Sequence, residues 1–304
     1  MNTKNPLFKA YLALAIVCFF WGTTYLAIRI GVQFVPGFMM AGIRNIIAGL
    51  ITCSYFVFIG TKMPDRKLWG IIFVRALLLI VLGNAMVHWA EESVESGLAA
   101  ILAATVPLWV AGISSIGFRS VTLNKKSLAG LLLGFAGVLC IFITGKEDLF
   151  HLSSIWGVLA MMIAAIGWSL GTVYSSVNKI NLPVIFTAGI QMLLGGIISI
   201  MISFSIGEQV SVLAIQWQGW TAIFYLVAFG SILSYNSFIY ALDKLPATLV
   251  GIYAYLNPLV AVFLGWLILD ERMDAWVAFG ILITLYGVYL VNKGFSLRAI
   301  TPDK

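Results

Sequence analysis

Apolar residues fill this chain in runs of about 20, separated by short polar stretches. At 1.5 Å per helical residue such a run matches the ~30 Å hydrocarbon core of a bilayer, so each reads as a membrane-crossing helix. The pattern predicts ten spans: 11–31, 37–59, 69–90, 96–117, 126–144, 154–177, 183–205, 218–241, 246–269 and 275–293. The strands of a β-barrel would alternate over roughly 10 residues, and none do. A signal peptide has a shorter apolar core than the first run, which follows Lys4 and Lys9 and reads as a retained span. The expected fold class is therefore an all-α polytopic membrane protein.

Composition narrows the function. Of 304 residues 61% are hydrophobic and 10% charged, and the mean hydropathy is +1.02. Soluble domains sit near 45–50% and about 25%, so a soluble protein is excluded, and ten spans leave no room for a soluble catalytic domain. The net charge of +6 concerns topology rather than nucleic acid. With the N-terminus in the cytoplasm, 13 of the 18 Lys and Arg residues fall inside, among them Lys62, Arg66, Lys67, Lys125, Lys179 and Lys244. Only Arg29, Lys146 and Arg272 fall outside, and Arg44 and Arg75 lie within spans. A positive-inside partition of this kind places both termini in the cytoplasm.

The halves of the chain resemble each other. Trp21 and Trp168 are 147 residues apart, as are Arg44 and Gln191, and Gly49 and Gly196; Pro107 and Pro258 are 151 apart, as are Ala90 and Ala241. Gly130 and Gly280 are 150 apart, as are Gly137 and Gly287. Five spans per half is an odd number, so the second copy enters from the opposite side. Residues 1–150 (spans 1–5) and 151–304 (spans 6–10 and a short cytoplasmic tail) are expected to be two inverted five-helix repeats. That organisation is a signature of secondary transporters, whose site lies near the midplane between the repeats.

Several stretches carry a family resemblance: Trp21-Gly22, Arg44, Asn84-Ala85-Met86-Val87 with Ala90-Glu91, Ser96-Gly97-Leu98-Ala99-Ala100 leading to Thr105-Val106-Pro107-Leu108, then Tyr253-Ala254-Tyr255-Leu256-Asn257-Pro258, Asp270-Glu271 and the Gly280/Gly287 pair. On these the chain resembles the EamA family of the drug/metabolite transporter superfamily, particularly its YedA-like branch. The resemblance implies an exporter of amino-acid-like metabolites, drugs or related solutes in a bacterial inner membrane, with proton exchange as one drive. One departure is visible: the acidic residue often found after span 4, matching Glu271 after span 9, is Ser120 here.

Pro107 and Pro258 fall mid-span, where each frees the carbonyl four residues back, on Ala103 and Ala254. Coincident breaks in two inverted halves point to a transport site or hinge, although membrane prolines also shape packing alone. Near them Thr105 and Trp109, Tyr253 and Asn257, Trp21 and Tyr25, and Trp168 and Thr172 each share a helical face at i, i+4. Singly, each aromatic reads as packing; together they suit a pocket for a small zwitterionic or aromatic solute. No charge lies at the centre of spans 1, 4, 6 or 9, so a net-neutral solute is expected.

Asn84, His88 and Glu91 form a stripe along span 3 toward the external mouth, near Glu92 and Glu95. The stripe reads either as a proton relay or cation site, or as a span end in water with His88 at headgroup level. Arg44 reads either as a substrate contact or as a donor to backbone carbonyls, and its counterpart Gln191 is neutral. Arg75 is expected to snorkel to the cytoplasmic surface. Gly130-x-x-x-Gly134 reads as internal packing more than a helix dimer, and leaves self-association unassigned.

No P-loop or H-E-x-x-H occurs, and only His88 and His151 are present. Cys18, Cys53 and Cys140 lie within apolar runs at no ligand spacing. Neither metal, cofactor nor nucleic acid is expected; the partners are a small-molecule substrate, lipid and, in a coupled mechanism, protons. Two other readings remain: a proton-coupled multidrug efflux pump, and an intramembrane lipid-modifying enzyme that only His88 and Glu91 could begin to supply.

Overall fold

The computed structural model describes residues 6–94, 96–118, 124–143, 155–208, 212–269 and 275–299. Glu95, Arg119, Ser120, Lys146, Glu147, His151, Asp270, Glu271, Arg272 and the terminal Lys4 and Lys304 lie outside them. The regular elements among the described residues are all helices, with no strand among them. We label the helices α1 (Pro6–Gly31), α2 (Gly37–Phe58), α3 (Arg66–Ala90), α4 (Ser96–Ala103, resumed as Val106–Gly112), α5 (Lys125–Ile143), α6 (Ile155–Val177), α7 (Val184–Ser205), α8 (Trp217–Lys244), α9 (Ala247–Val250, resumed as Tyr253–Leu269) and α10 (Ala275–Ala299). Seven of them, α1–α4 and α6–α8, are long and apolar enough to cross a membrane, and shorter apolar helices follow at Ala247–Val260 and Ala278–Gly294. The protein is a polytopic helical membrane protein.

Equivalent positions in the two halves take equivalent shapes. Both α2 and α7 are 22 residues long, and each is preceded by a proline, Pro36 or Pro183, whose fixed φ launches the helix. Each is followed by a left-handed glycine, Gly60 (φ 81°) or Gly207 (φ 82°), a backbone state that other residues enter only with strain. The two helices pack along each other, as do α5 and α10. Gly130 and Gly134 of α5 meet Gly287 of α10 backbone to backbone, so the small-residue motif serves internal packing.

Two features differ from the sequence expectation. Inside α3 and α8 the turns widen to π over Ala76–Ala85 and Leu226–Tyr235, stretches 150 residues apart that no periodicity announced. The breaks in α4 and α9 are also not equivalent. In α4 the break falls at Ala104–Thr105, so Pro107 sits in the first turn of a new helix, where no N–H is needed. The break in α9 comes at Gly251–Ile252 instead, and the helix runs on through Pro258. Pro258 is only the sixth residue of that helix, so it forfeits a single bond near the start rather than breaking the middle. Gly251 lies against the Cα of Pro107, which brings the two breaks together.

Candidate functional site

A cavity opens between α1, α2, α3, α4, α6 and α9. Five residues singled out from the sequence line it together: Trp21, Tyr25, Trp168, Tyr253 and Asn257. Trp21 stands edge-on to Trp168 (ring centroids 5.2 Å apart) and to Tyr253 (4.9 Å), and Phe238 of α8 backs the group at 5.3 Å from Trp21. Edge-to-face packing of this kind fixes the rings and leaves their faces as walls. Glycines let the cluster close. A Cβ at Gly22 would meet the Asn257 carbonyl oxygen at 2.9 Å, and one at Gly83 would meet the Trp168 ring at 2.5 Å. Trp21 Nε1 donates to the carbonyl of Gly230, in the π stretch of α8, at 3.0 Å. With its amide oriented to satisfy its neighbours, Asn257 donates through Nδ2 to the carbonyls of Cys18 and Tyr253, both at 3.0 Å. Ala103, whose carbonyl Pro107 leaves free, also lines the cavity.

Arg44 and Asn84 join the same wall, which changes the electrostatics expected from spans 1, 4, 6 and 9 alone. The cavity does contain a basic residue, because α2 packs close enough to deliver it. Arg44 is 3% exposed; its Nε donates to Ser231 Oγ at 3.1 Å and its Nη1 meets His88 Nε2 at 3.1 Å. Asn84 Oδ1 accepts from Asn45 Nδ2 at 3.0 Å. The counterpart of Arg44 behaves differently: Gln191 is fully buried and its Oε1 accepts from the Tyr235 hydroxyl at 2.8 Å.

Three candidates lie elsewhere. Thr105 and Thr172 spend their hydroxyls on carbonyls of their own helices, Leu102 at 2.6 Å and Trp168 at 2.8 Å, and neither lines the cavity. Trp109 turns outward and is 38% exposed.

The span 3 stripe divides. His88 faces Arg44, while Glu91 is completely buried with both carboxylate oxygens unpartnered, so it is not a helix end in water. Burial holds the Glu91 carboxyl well above the usual carboxylate range, with Arg29 pulling the other way. Arg29 donates to the Glu91 backbone carbonyl rather than to the carboxylate.

Arg75 does not snorkel either. It is 5% exposed and donates to the carbonyls of Ser175 and Asn178, since the end of α6 offers acceptors nearer than the surface. Beside it Lys179 pairs with Asp243 at 3.2 Å, tying the end of α6 to that of α8. At the opposite end of the bundle Glu92 accepts from the Gly37 N–H and Glu208 from that of Met39 (3.0 Å), capping α2. Burial moves the Glu92 carboxyl up, the Gly37 N–H opposes the shift, and the charge of Glu208 adds to it.

Comparison with known proteins agrees with this architecture. The model of the EamA-like transporter family matches twice, over residues 8–143 and 155–293. The chain is 36% identical over 303 residues to the uncharacterized inner membrane transporter YedA of Escherichia coli (strain K12), covering 98% of this chain and 94% of that one. The uncharacterized transporter YoaV of Bacillus subtilis (strain 168) is 26% identical over 298 residues, covering 96% and 99%. A solved structure described only as the crystal structure of a protein shares the fold with TM-score 0.77 and 18% identity, over 93% of this chain and 96% of that one. A family match in each half, together with full-length identity to an inner membrane transporter, places this chain in the EamA-like transporter family.

Proposed function

We propose that this membrane transporter is a secondary transporter or facilitator that exports a small amino-acid-like or neutral organic metabolite across a bacterial inner membrane by alternating access. The observation that carries the reading is the aromatic-walled cavity, to which α1–α4 of one half and α6 and α9 of the other all contribute. A cavity walled by both halves is what rocking one half against the other would expose to each side in turn. The ten helices form two five-helix repeats of inverted topology, supported by the paired prolines, glycines and π stretches and by the double family match. Both termini are cytoplasmic, as the Lys/Arg partition indicates, and the description of YedA as an inner membrane transporter supports the location.

The test is a metabolite-wide flux screen with purified protein in proteoliposomes, with and without a pH gradient. Saturable movement of a subset of small organic solutes is expected, and vesicles no more permeable than protein-free ones to any solute would overturn the reading. A proton-coupled multidrug pump is the second reading, favoured by the buried, unpartnered Glu91 carboxylate; it requires bulky cations to move and the gradient to drive them.

A further inference from the structure

Resting on the transport reading above, we infer that the cavity carries a cradle for one carboxylate of the solute, made by Arg44 Nη2 and Asn84 Nδ2 and positioned by His88 and Asn45. A guanidinium can only donate, so His88 Nε2 accepts from Arg44 Nη1 and carries no proton. The proton of the neutral ring is then on Nδ1, which donates to the Asn84 carbonyl at 2.9 Å. His88 is thereby held in one tautomer as the acceptor that aims Arg44, a role distinct from relaying protons to Glu91. Asn84 is fixed in a similar way. Asn45 Nδ2 is anchored on the Ala41 carbonyl at 2.8 Å and donates to Asn84 Oδ1, which commits the amide and leaves Asn84 Nδ2 as the free donor on the cavity wall.

Arg44 Nε and Nη1 are occupied, while Nη2 has no partner among the described residues. A Cβ at Gly230 would stand 2.9 Å from Nη2, so glycine is what lets α8 pack closely beside that nitrogen. The guanidinium is buried and forms no ion pair with any described residue. Such a charge is costly in an apolar interior until an anion meets it through charge-assisted hydrogen bonds. One guanidinium balances one negative charge, which selects a carboxylate over a phosphate dianion. The far wall is of the opposite character: the faces of Trp21, Trp168 and Tyr253 accept a cation or an apolar body. A solute with an acidic end therefore lies in one orientation, its carboxylate toward α2 and α3.

The experiment uses the full-length protein in proteoliposomes loaded with a defined mixture of matched pairs, each a small carboxylic acid or amino acid and its primary amide, and reads efflux and substrate-induced tryptophan fluorescence. The wild type should favour the acid of each pair about tenfold or more, the scale of a hydrogen bond to a charged group. Arg44→Gln and Asn84→Ala should reduce that preference, Arg44→Gln to near unity. His88→Leu should reduce it too, while His88→Gln, which replaces the Nε2 acceptor by an amide oxygen, should retain it. Arg44→Lys, which keeps the charge, serves as a second variant should Arg44→Gln not fold. Equal handling of acid and amide by the wild type, or an acid preference that survives Arg44→Gln, would overturn the cradle while flux itself kept the transport reading. Failure to move either member of any pair would overturn both.

Discussion

A carboxyl group that is fully buried with neither oxygen hydrogen-bonded is stable only while it holds its proton. Glu91 is in that state, and the raised affinity for its proton has a definite sign. With a folded pKa above the unfolded value, Glu91 contributes stability at low pH and loses it as pH rises through the folded pKa. The unfolding temperature of the purified protein should therefore fall with rising pH above the usual carboxylate range. In Glu91→Gln, which imitates the protonated form, that part of the slope should vanish. If transport is proton-driven, the same variant should flatten the pH-gradient dependence of flux; a thermal profile parallel to wild type would show that Glu91 is hydrated and charged. His88→Gln should leave the slope in place, because His88 faces Arg44 rather than Glu91.

Helices that cross a membrane can break only where protein satisfies the freed backbone, and this fold breaks α4 at Ala104–Thr105 and α9 at Gly251–Ile252, close to where Pro107 and Gly251 touch. Pro107→Ala restores an N–H that can reach the Ala103 carbonyl only if α4 runs on through Ala104–Thr105, since the present break needs none there. It should raise stability by roughly 0.5–1.5 kcal/mol, the worth of one hydrogen bond, and lower turnover several-fold with little change in affinity. Pro258→Ala should change turnover much less, since α9 is already continuous there. Measuring turnover and apparent affinity in both variants decides the matter, and equal losses would show that the site of the break is irrelevant. The π stretches act at the same scale, because a widened turn re-aims side chains and loosens carbonyls. The α8 stretch presents the Gly230 carbonyl to Trp21 and Ser231 to Arg44; its α3 counterpart presents Gly83 and Asn84 to the cavity.

Over the whole molecule, the two ends of the bundle are held differently. At one end Lys179 and Asp243 join α6 to α8, and at the other Glu92 and Glu208 converge on the N-terminus of α2. Under the proposed topology the first end is cytoplasmic. A reporter active only outside should be silent when fused after Lys62, Lys125 or the C-terminus and active after Glu147 or Glu208. The reverse pattern would invert the molecule in the membrane and, with it, the direction assigned to the cavity.

Much of the cavity was legible in the chain. Trp21, Trp168, Tyr253 and Asn257 stand out because an amphipathic aromatic or an amide within an apolar run has few reasons to be there, and the repeat offset pairs Trp21 with Trp168. Helix-facing rules fix which side chains share a face, but not which way that face turns. That is why Thr105, Trp109 and Thr172 were indistinguishable from the true lining until α4 and α6 were packed. Arg44 was visible as a charge within a span, yet its place on the wall depended on the close packing of α2 against α3 and α8. Sequence by itself determined the membrane class and the family, because hydropathy and local motifs are properties of single segments. Only the tertiary structure decided where the helices break, which polar groups meet and which carboxylate is left alone, because these depend on contacts between segments far apart in the chain.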